Sequence, residues 1–178
     1  KRGSEIDYNG APGGYAADPT EVVNYVSKHD NQTLWDMISY KAAQEADLDT
    51  RVRMQAVSLA TVMLGQGIAF DQQGSELLRS KSFTRDSYDS GDWFNRVDYS
   101  LQDNNYNVGM PRSSDDGSNY DIIARVKDAV ATPGETELKQ MTAFYQELTA
   151  LRKSSPLFTL GDGATVMQRV DFRNTGAD

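Results

Sequence analysis

The sequence predicts an α/β fold, with strands and helices alternating along a chain of 178 residues. Residues 22–27 form a short β-branched and aromatic run that predicts a first strand. Apolar side chains recur with the helical period over residues 50–64, and residues 67–70 form a second short apolar run. A strand, a helix and a strand in this order predict a parallel βαβ unit. On these residues alone, a closed barrel and a doubly wound sheet fit equally well.

Turn-forming and helix-capping residues predict the elements that precede the helix of residues 50–64. Glycine, proline and asparagine punctuate residues 1–21, which are therefore predicted to be a loop. A short helix is predicted over residues 33–43, and Asp30 or Asn31 is a plausible N-cap for it.

The middle of the chain combines one clear helix with a long irregular stretch. The helix over residues 50–64 has Asp49 as its predicted cap. Residues 71–118 show no long periodic pattern and interleave polar residues with Trp93 and other aromatics. A solvated loop is one interpretation, but exposing many aromatic rings is costly. We therefore predict an ordered binding loop, whose rings pack on sugar faces.

The last third of the chain predicts two helices and a strand. Apolar positions are in helical register over residues 120–131, and a second helix is predicted from Pro133 to about residue 154. Residues 166–173 have the composition of a strand.

Composition excludes several classes of function. The net charge of −8 argues against a nucleic-acid partner, because phosphate binding needs clustered Lys and Arg. The chain has no cysteine, which excludes disulfides, thiolate catalysis and cysteine-ligated zinc. Apolar runs fall well short of the ~18 residues of a membrane span. An Asp-rich stretch at residues 114–119 supplies oxygen ligands, so structural calcium is compatible with the sequence, but its spacing is not that of an EF-hand and no metal is placed.

Three adjacent polar side chains follow the first predicted strand: His29, Asp30 and Asn31. Helix capping is the simpler interpretation of Asp30 or Asn31 taken alone. Chemically, the aspartate provides a fixed negative charge, while the imidazole and the amide can bond sugar hydroxyls. This combination suits a carbohydrate whose transition state becomes cationic.

Two long segments carry a specific family resemblance. Residues 25–36 contain the His-Asp pair, and residues 86–96 contain Asp92-Trp93-Phe94-Asn95-Arg96. In this order they resemble the pullulanases, debranching members of the α-amylase superfamily, and are most similar to the secreted or lipid-anchored enzymes of Gram-negative bacteria. The resemblance implies the C-terminal portion of a (β/α)8 barrel, its last two strand-helix units, over residues 1–154. Residues 155–178 would then begin a C-terminal all-β domain, a β-sandwich.

The resemblance also implies roles for five residues. Asp30 would be the third catalytic carboxylate, which offsets the positive charge of the oxocarbenium-like transition state. His29 and Asn31 would contact the same sugar, while Asp92 and Arg96 would bind the next one. A surface salt bridge is the alternative for the last pair. The nucleophile and the general acid would lie upstream of Lys1, so the isolated chain is predicted to be inactive.

The implied activity is that of a retaining glycoside hydrolase that cleaves α-1,6 linkages in pullulan, starch or glycogen-type glucans. Another α-amylase relative, such as an isoamylase or a maltogenic amylase, is an alternative, as is a non-catalytic glucan-binding module. The implied partners are a branched α-glucan and the rest of the catalytic domain, and the implied location is secreted or cell-surface associated. The resemblance implies no cofactor for the chemistry.

Overall fold

The computed structural model describes residues 2–171, and its regular structure there is mainly helical. The α-helices within this range are α1 (Leu34–Lys41), α2 (Leu48–Leu64), α3 (Asp92–Asn95), α4 (Ser113–Asp116), α5 (Tyr120–Val126), α6 (Glu135–Ser154) and α7 (Gly163–Arg169). Short 3-10 turns occur at Gly3–Glu5, Pro19–Glu21, Ser75–Leu77, Gly117–Asn119 and Pro156–Phe158.

The strands are short and form two pairs. β1 (Asp7–Tyr8) and β2 (Ala11–Pro12) form an antiparallel hairpin. β3 (Val23–Asn24) and β4 (Ile68–Ala69) are parallel, with Val23 opposite Ile68. The predicted parallel pairing across α1 and α2 is therefore confirmed, although each strand is two residues long.

The predicted fold class is wrong: the chain does not have the architecture of a (β/α)8 barrel portion followed by a β-sandwich. A barrel wall consists of strands hydrogen-bonded on both sides. Within residues 2–171, β3 and β4 pair only with each other, and the remaining strand pair is a separate hairpin. Packed helices supply most of the core instead.

The strand predicted over residues 166–173 is also wrong as far as the structure describes it. Residues 163–169 form α7, and the Asp162 carboxylate accepts a hydrogen bond of 2.8 Å from the Thr165 N–H as an N-cap. Residues 172–173 lie outside the described residues. The domain boundary between residues 154 and 155 stays a prediction.

The core forms where α2 packs against α6 and against α1, and α1 in turn packs against α5. Leu59 on α2 and Leu138 on α6 are fully buried, as the helical periodicity predicted. Burying such a side chain stabilises the fold by about 1.5–3 kcal/mol. Arg152 joins the end of α6 to the end of α2, because its guanidinium donates to the carbonyls of Met63, Gly65 and Gly67 at 2.7–2.8 Å. This contact also sets the start of β4.

Polar side chains, one exposed and one buried, fix the connection between α1 and α2. Asp47, rather than Asp49, caps α2, and its carboxylate accepts from the Thr50 N–H at 2.8 Å. The Arg51 guanidinium is buried and donates to three carbonyls of the connection: Ile38 at 3.3 Å, Ala43 at 2.8 Å and Ala46 at 3.0 Å.

The irregular segment over residues 71–118 is confirmed as largely loop, and it is ordered by its own side chains. Phe83 stacks on Tyr40 of α1 with ring centroids 5.8 Å apart, and it meets the Tyr106 ring edge-on at 5.0 Å. Asn104 donates from its amide to the Leu78 carbonyl at 2.8 Å. The loop is therefore packed onto the helices instead of being solvated.

Candidate functional site

The candidate site is the turn of residues 29–31 between β3 and α1. Thr33 caps α1, since its hydroxyl accepts from the Asp36 N–H at 3.2 Å. The alternative that Asp30 or Asn31 caps α1 is therefore wrong, and neither side chain is tied to the start of the helix. Asn31 has φ 63°, a left-handed conformation that asparagine tolerates better than most residues. This conformation reverses the chain immediately after Asp30.

A cleft of about 560 Å³ opens beside this turn, between residues 25–28 and α1. Asp30 and Asn31 line the cleft, whereas His29 does not. The other lining side chains are aromatic, aliphatic, cationic or polar: Tyr25, Val26, Ser27, Lys28, Gln32, Thr33, Leu34, Met37, Tyr40, Lys41, Arg85 and Asn119. Aromatic faces next to hydrogen-bonding groups match the two surfaces of a pyranose ring.

Asp30 is exposed and ionised. Its carboxylate bonds the Lys28 ammonium and lies 3.5 Å from His29 Nε2. The hydrogen bond from Lys28 holds the pKa of Asp30 below its ordinary value, although desolvation opposes this shift. A carboxylate that keeps its charge at neutral pH can stabilise a cation, but it cannot act there as a proton donor.

The second predicted set lies on and after the short helix α3. Asp92 is its first residue, and Arg96 follows its last. The alternative of a surface salt bridge between Arg96 and Asp92 is wrong: the Arg96 guanidinium bonds Asp103 at 3.1 Å and lies 3.9 Å from Asp98. Asn95 closes the loop instead, exchanging hydrogen bonds of 2.7 and 2.8 Å with Ser87. That Asp92 and Arg96 contact the same glucan as Asp30 stays a prediction.

The aromatic residues of this loop divide into two groups. Phe94 is 2% exposed and Tyr106 is 5% exposed, so both are core residues and the expectation that such rings pack on sugar is wrong for them. Trp93 is 53% exposed and packs on Phe94 with centroids 4.6 Å apart. Gly109 leaves room for it, because a Cβ at Gly109 would lie 2.9 Å from the indole.

Buried polar residues that brace the turn were missed by sequence reasoning. Lys81 and Asp116 are almost completely buried, and both lie in the stretch of residues 71–118 that was predicted to be an ordered binding loop. Asp116 accepts from the Arg85 N–H at 2.9 Å, from the Asn119 amide at 3.1 Å and from the Gln32 amide at 3.4 Å. No periodicity marks these residues, so only the three-dimensional contacts identify them.

A second cleft, of about 770 Å³, lies between β4 and the end of α6. Asp71 lines it and accepts a hydrogen bond of 2.8 Å from the Tyr145 hydroxyl. Burial raises the pKa of Asp71, and the hydrogen bond from Tyr145 opposes that shift. A third, more apolar cleft of about 500 Å³ lies between residues 16–22 and α7.

Neither metal sites nor membrane spans are found in the part of the chain that the structure describes. Among residues 2–171, no three His, Cys, Asp or Glu side chains are grouped so that they could hold a metal ion. Asp115, in the Asp-rich stretch, accepts hydrogen bonds from the Arg112 guanidinium and from the Ser114 hydroxyl. Over the same residues, none of the helices combines the length and hydrophobicity needed to span a bilayer.

Comparison with known proteins identifies the family. Residues 101–178 match the family model "Alpha-1,6-glucosidases, pullulanase-type, C-terminal". The pullulanase of Klebsiella aerogenes is 99% identical over 178 residues, which is 100% of this chain and 16% of that protein. The chain belongs to the pullulanase family. It spans about a sixth of the length of the first curated relatives that it matches.

Solved structures agree in sequence and in three dimensions. The crystal structure of apo pullulanase from Klebsiella pneumoniae matches with a TM-score of 0.96 and 99% identity, over 100% of this chain and 19% of that one. The Klebsiella pneumoniae pullulanase complexed with maltotriose matches with a TM-score of 0.95 and 99% identity, over 100% of this chain and 17% of that one. The family model also starts within the region predicted to be barrel, at residue 101, which supports the correction of the fold class.

Proposed function

We propose that this chain is part of a retaining glycoside hydrolase that cleaves α-1,6-glucosidic linkages in pullulan and related branched α-glucans. The observation that carries the proposal is the near-identity of the whole chain to Klebsiella pullulanase. The name of the matching family model specifies α-1,6-glucosidases, and a near-identical solved pullulanase is complexed with maltotriose, an α-glucan fragment. A secreted or cell-surface location is part of the same proposal, and it rests on the resemblance to the pullulanases of Gram-negative bacteria.

In this proposal Asp30 stabilises charge and does not transfer a proton. An oxocarbenium-like transition state carries positive charge on the sugar ring. The Asp30 carboxylate is exposed beside a sugar-sized cleft, and Lys28 keeps it ionised. Its interaction with the sugar would strengthen as the charge develops, and such interactions raise turnover more than affinity.

The neighbours of Asp30 would orient the sugar. Asn31 lines the cleft, and its amide oxygen is occupied by Arg85 Nε at 3.0 Å, which leaves the amide N–H groups to donate to hydroxyls. His29 lies outside the cleft lining and contacts Asp30 through Nε2, so it would bond hydroxyls at the rim. Asp92 and Arg96 would bind the next sugar.

The test measures sugar release from pullulan by the complete Klebsiella aerogenes pullulanase, with Asp30→Asn introduced into its matching segment. We expect kcat to fall by about 10²–10³-fold, with a much smaller change in KM. Asp49→Asn is the matched control, because Asp49 is exposed on α2 and pairs only with Arg53 on its own helix. Near-normal turnover by Asp30→Asn would refute the assigned role. The isolated 178-residue chain, assayed in parallel, should release no sugar.

A further inference from the structure

Lys81 is a buried cation whose side chain reaches the candidate site. It is 1% exposed, and its ammonium donates to the His29 carbonyl oxygen at 3.1 Å and to the Arg85 carbonyl oxygen at 3.4 Å. Removing an ammonium group from water is costly, and here burial lowers the pKa of Lys81, with Asp36 opposing the shift. A buried charge directed at backbone carbonyls therefore needs an explanation beyond packing.

The base of the Lys81 side chain is fixed to the first turn of α1. Asp36 is completely buried, and its carboxylate accepts from the Lys81 N–H at 2.9 Å and from the Ser80 hydroxyl. Asp36 itself sits in the helix turn that begins directly after the site. The backbone of Lys81 and the start of α1 are therefore held as one unit.

We propose that Lys81 is a positioning residue for Asp30, an inference that rests on the function proposed above. The His29 carbonyl belongs to the planar peptide group that ends at the Asp30 Cα atom. A hydrogen bond to that oxygen fixes the orientation of this peptide plane, and the peptide plane in turn sets the direction of the Asp30 side chain. The Asp30 side chain is itself exposed, so it has no buried packing of its own to orient it.

A second connection supports the same geometry one residue further along. Arg85 Nε donates to the Asn31 amide oxygen at 3.0 Å, and the Arg85 N–H is held by buried Asp116 at 2.9 Å. Because Lys81 also bonds the Arg85 carbonyl, one ammonium group connects both anchors of the turn. Loss of Lys81 would release the peptide before Asp30 and loosen the support after it.

The test compares kcat and KM on pullulan for the complete Klebsiella aerogenes enzyme with Lys81→Met or Lys81→Gln in the matching segment. Lys81→Met keeps most of the side-chain volume and removes the donor, whereas Lys81→Gln keeps a shorter neutral donor. We expect Lys81→Met to lower kcat by about 10–100-fold while KM changes by less than about 3-fold, because small misplacements of a reacting group slow turnover. Lys81→Gln should be intermediate. Activities are normalised to folded protein measured by circular dichroism.

Lys139→Met is the control, since Lys139 is exposed on α6 and pairs with Glu135 at 2.6 Å. It should leave both constants unchanged. Wild-type kcat in folded Lys81→Met would overturn the positioning role while leaving the proposed function intact. If neither Lys81 variant folds, Lys81 is a folding residue and the inference is wrong. Absence of pullulan hydrolysis by the unsubstituted enzyme would instead refute the proposed function.

Discussion

Arg51→Met should destabilise the chain by about 3 kcal/mol. The guanidinium is 2% exposed and makes three charge-assisted hydrogen bonds to the connection between α1 and α2. Each bond of this kind contributes about 1.5–3 kcal/mol. Removing the buried cation also removes its desolvation penalty, which amounts to several kcal/mol and offsets part of the loss. Methionine fills a similar volume without a donor or a charge, so the difference reports the hydrogen bonds net of the desolvation penalty.

The assay is urea unfolding of the 178-residue chain, followed by tryptophan fluorescence. Trp35 is completely buried on α1, next to the affected connection, and its emission reports exposure to water. With a urea dependence of about 1–3 kcal/mol per molar, a loss of about 3 kcal/mol should lower the midpoint by about 1–3 M. Arg51→Lys should behave like Arg51→Met, since one compact ammonium cannot reproduce the planar fork of donors.

Arg53→Met provides the matched control on the same helix. Arg53 is exposed, and its ion pair with Asp49 at 3.0 Å joins positions four residues apart. Such pairs contribute about 0.3–0.5 kcal/mol, so the midpoint should barely move. Equal shifts for Arg51→Met and Arg53→Met would refute the reasoning, because the buried fork would then contribute no more than a surface charge.

Three further predictions concern the cap, the second sugar contact and the second cleft. Thr33→Val should destabilise the chain by about 1 kcal/mol in the same urea assay, because the Asp36 N–H loses its cap; an unchanged midpoint would argue against capping. Arg96→Ala in the complete enzyme should raise KM on pullulan more than it lowers kcat, and a purely kcat effect would contradict a role in binding an adjacent sugar. Tyr145→Phe should raise the pKa of Asp71 further in a carbon-13 NMR titration, since it removes the hydrogen bond that stabilises the carboxylate. The pKa of Asp71 is higher in the folded chain than its ordinary value of about 3.8, so the protonated carboxyl contributes stability that is fully present below pH ~3.8 and is lost as the pH rises through the folded pKa. Asp71→Asn should therefore flatten this dependence of the unfolding free energy on pH.

Long helices were predictable, because their apolar periodicity extends over several turns. Both α2 and α6 lie within two residues of their predicted limits at each end. The error at α7 has a specific cause. Val166, Met167 and Val170 suit a strand by composition, but their spacing also fits one helical face, and Asp162 three residues before Thr165 is an N-cap signal. The N-cap at Asp162 therefore favours a helix over a strand for these residues.

The predicted fold class was wrong for a different reason. Local patterns predicted which residues pair, and β3 does pair with β4 in parallel. They could not predict how many strands would join, because that number depends on contacts between residues far apart in sequence. The apolar runs at residues 22–27 and 67–70 shrink to two-residue strands, and several of their side chains remain exposed, including Val26 and Phe70.

The residues that support the turn of residues 29–31 could not be predicted from the sequence, because they lie on a segment with unusual backbone angles. Within residues 78–84, Leu78, Ser82 and Phe83 adopt φ between 49° and 69°, a conformation that costs non-glycine residues about 1–3 kcal/mol each. Complete burial of Leu78 and Phe83 offsets part of that cost, and Asp36 anchors the backbone between them. This strained segment places Lys81 in the protein interior, where its ammonium group reaches the His29 carbonyl oxygen. Backbone preference argues against three residues of this segment, so packing against the surrounding helices is needed to stabilise it. In the proposed role of Lys81, the orientation of the exposed Asp30 carboxylate therefore depends on the core.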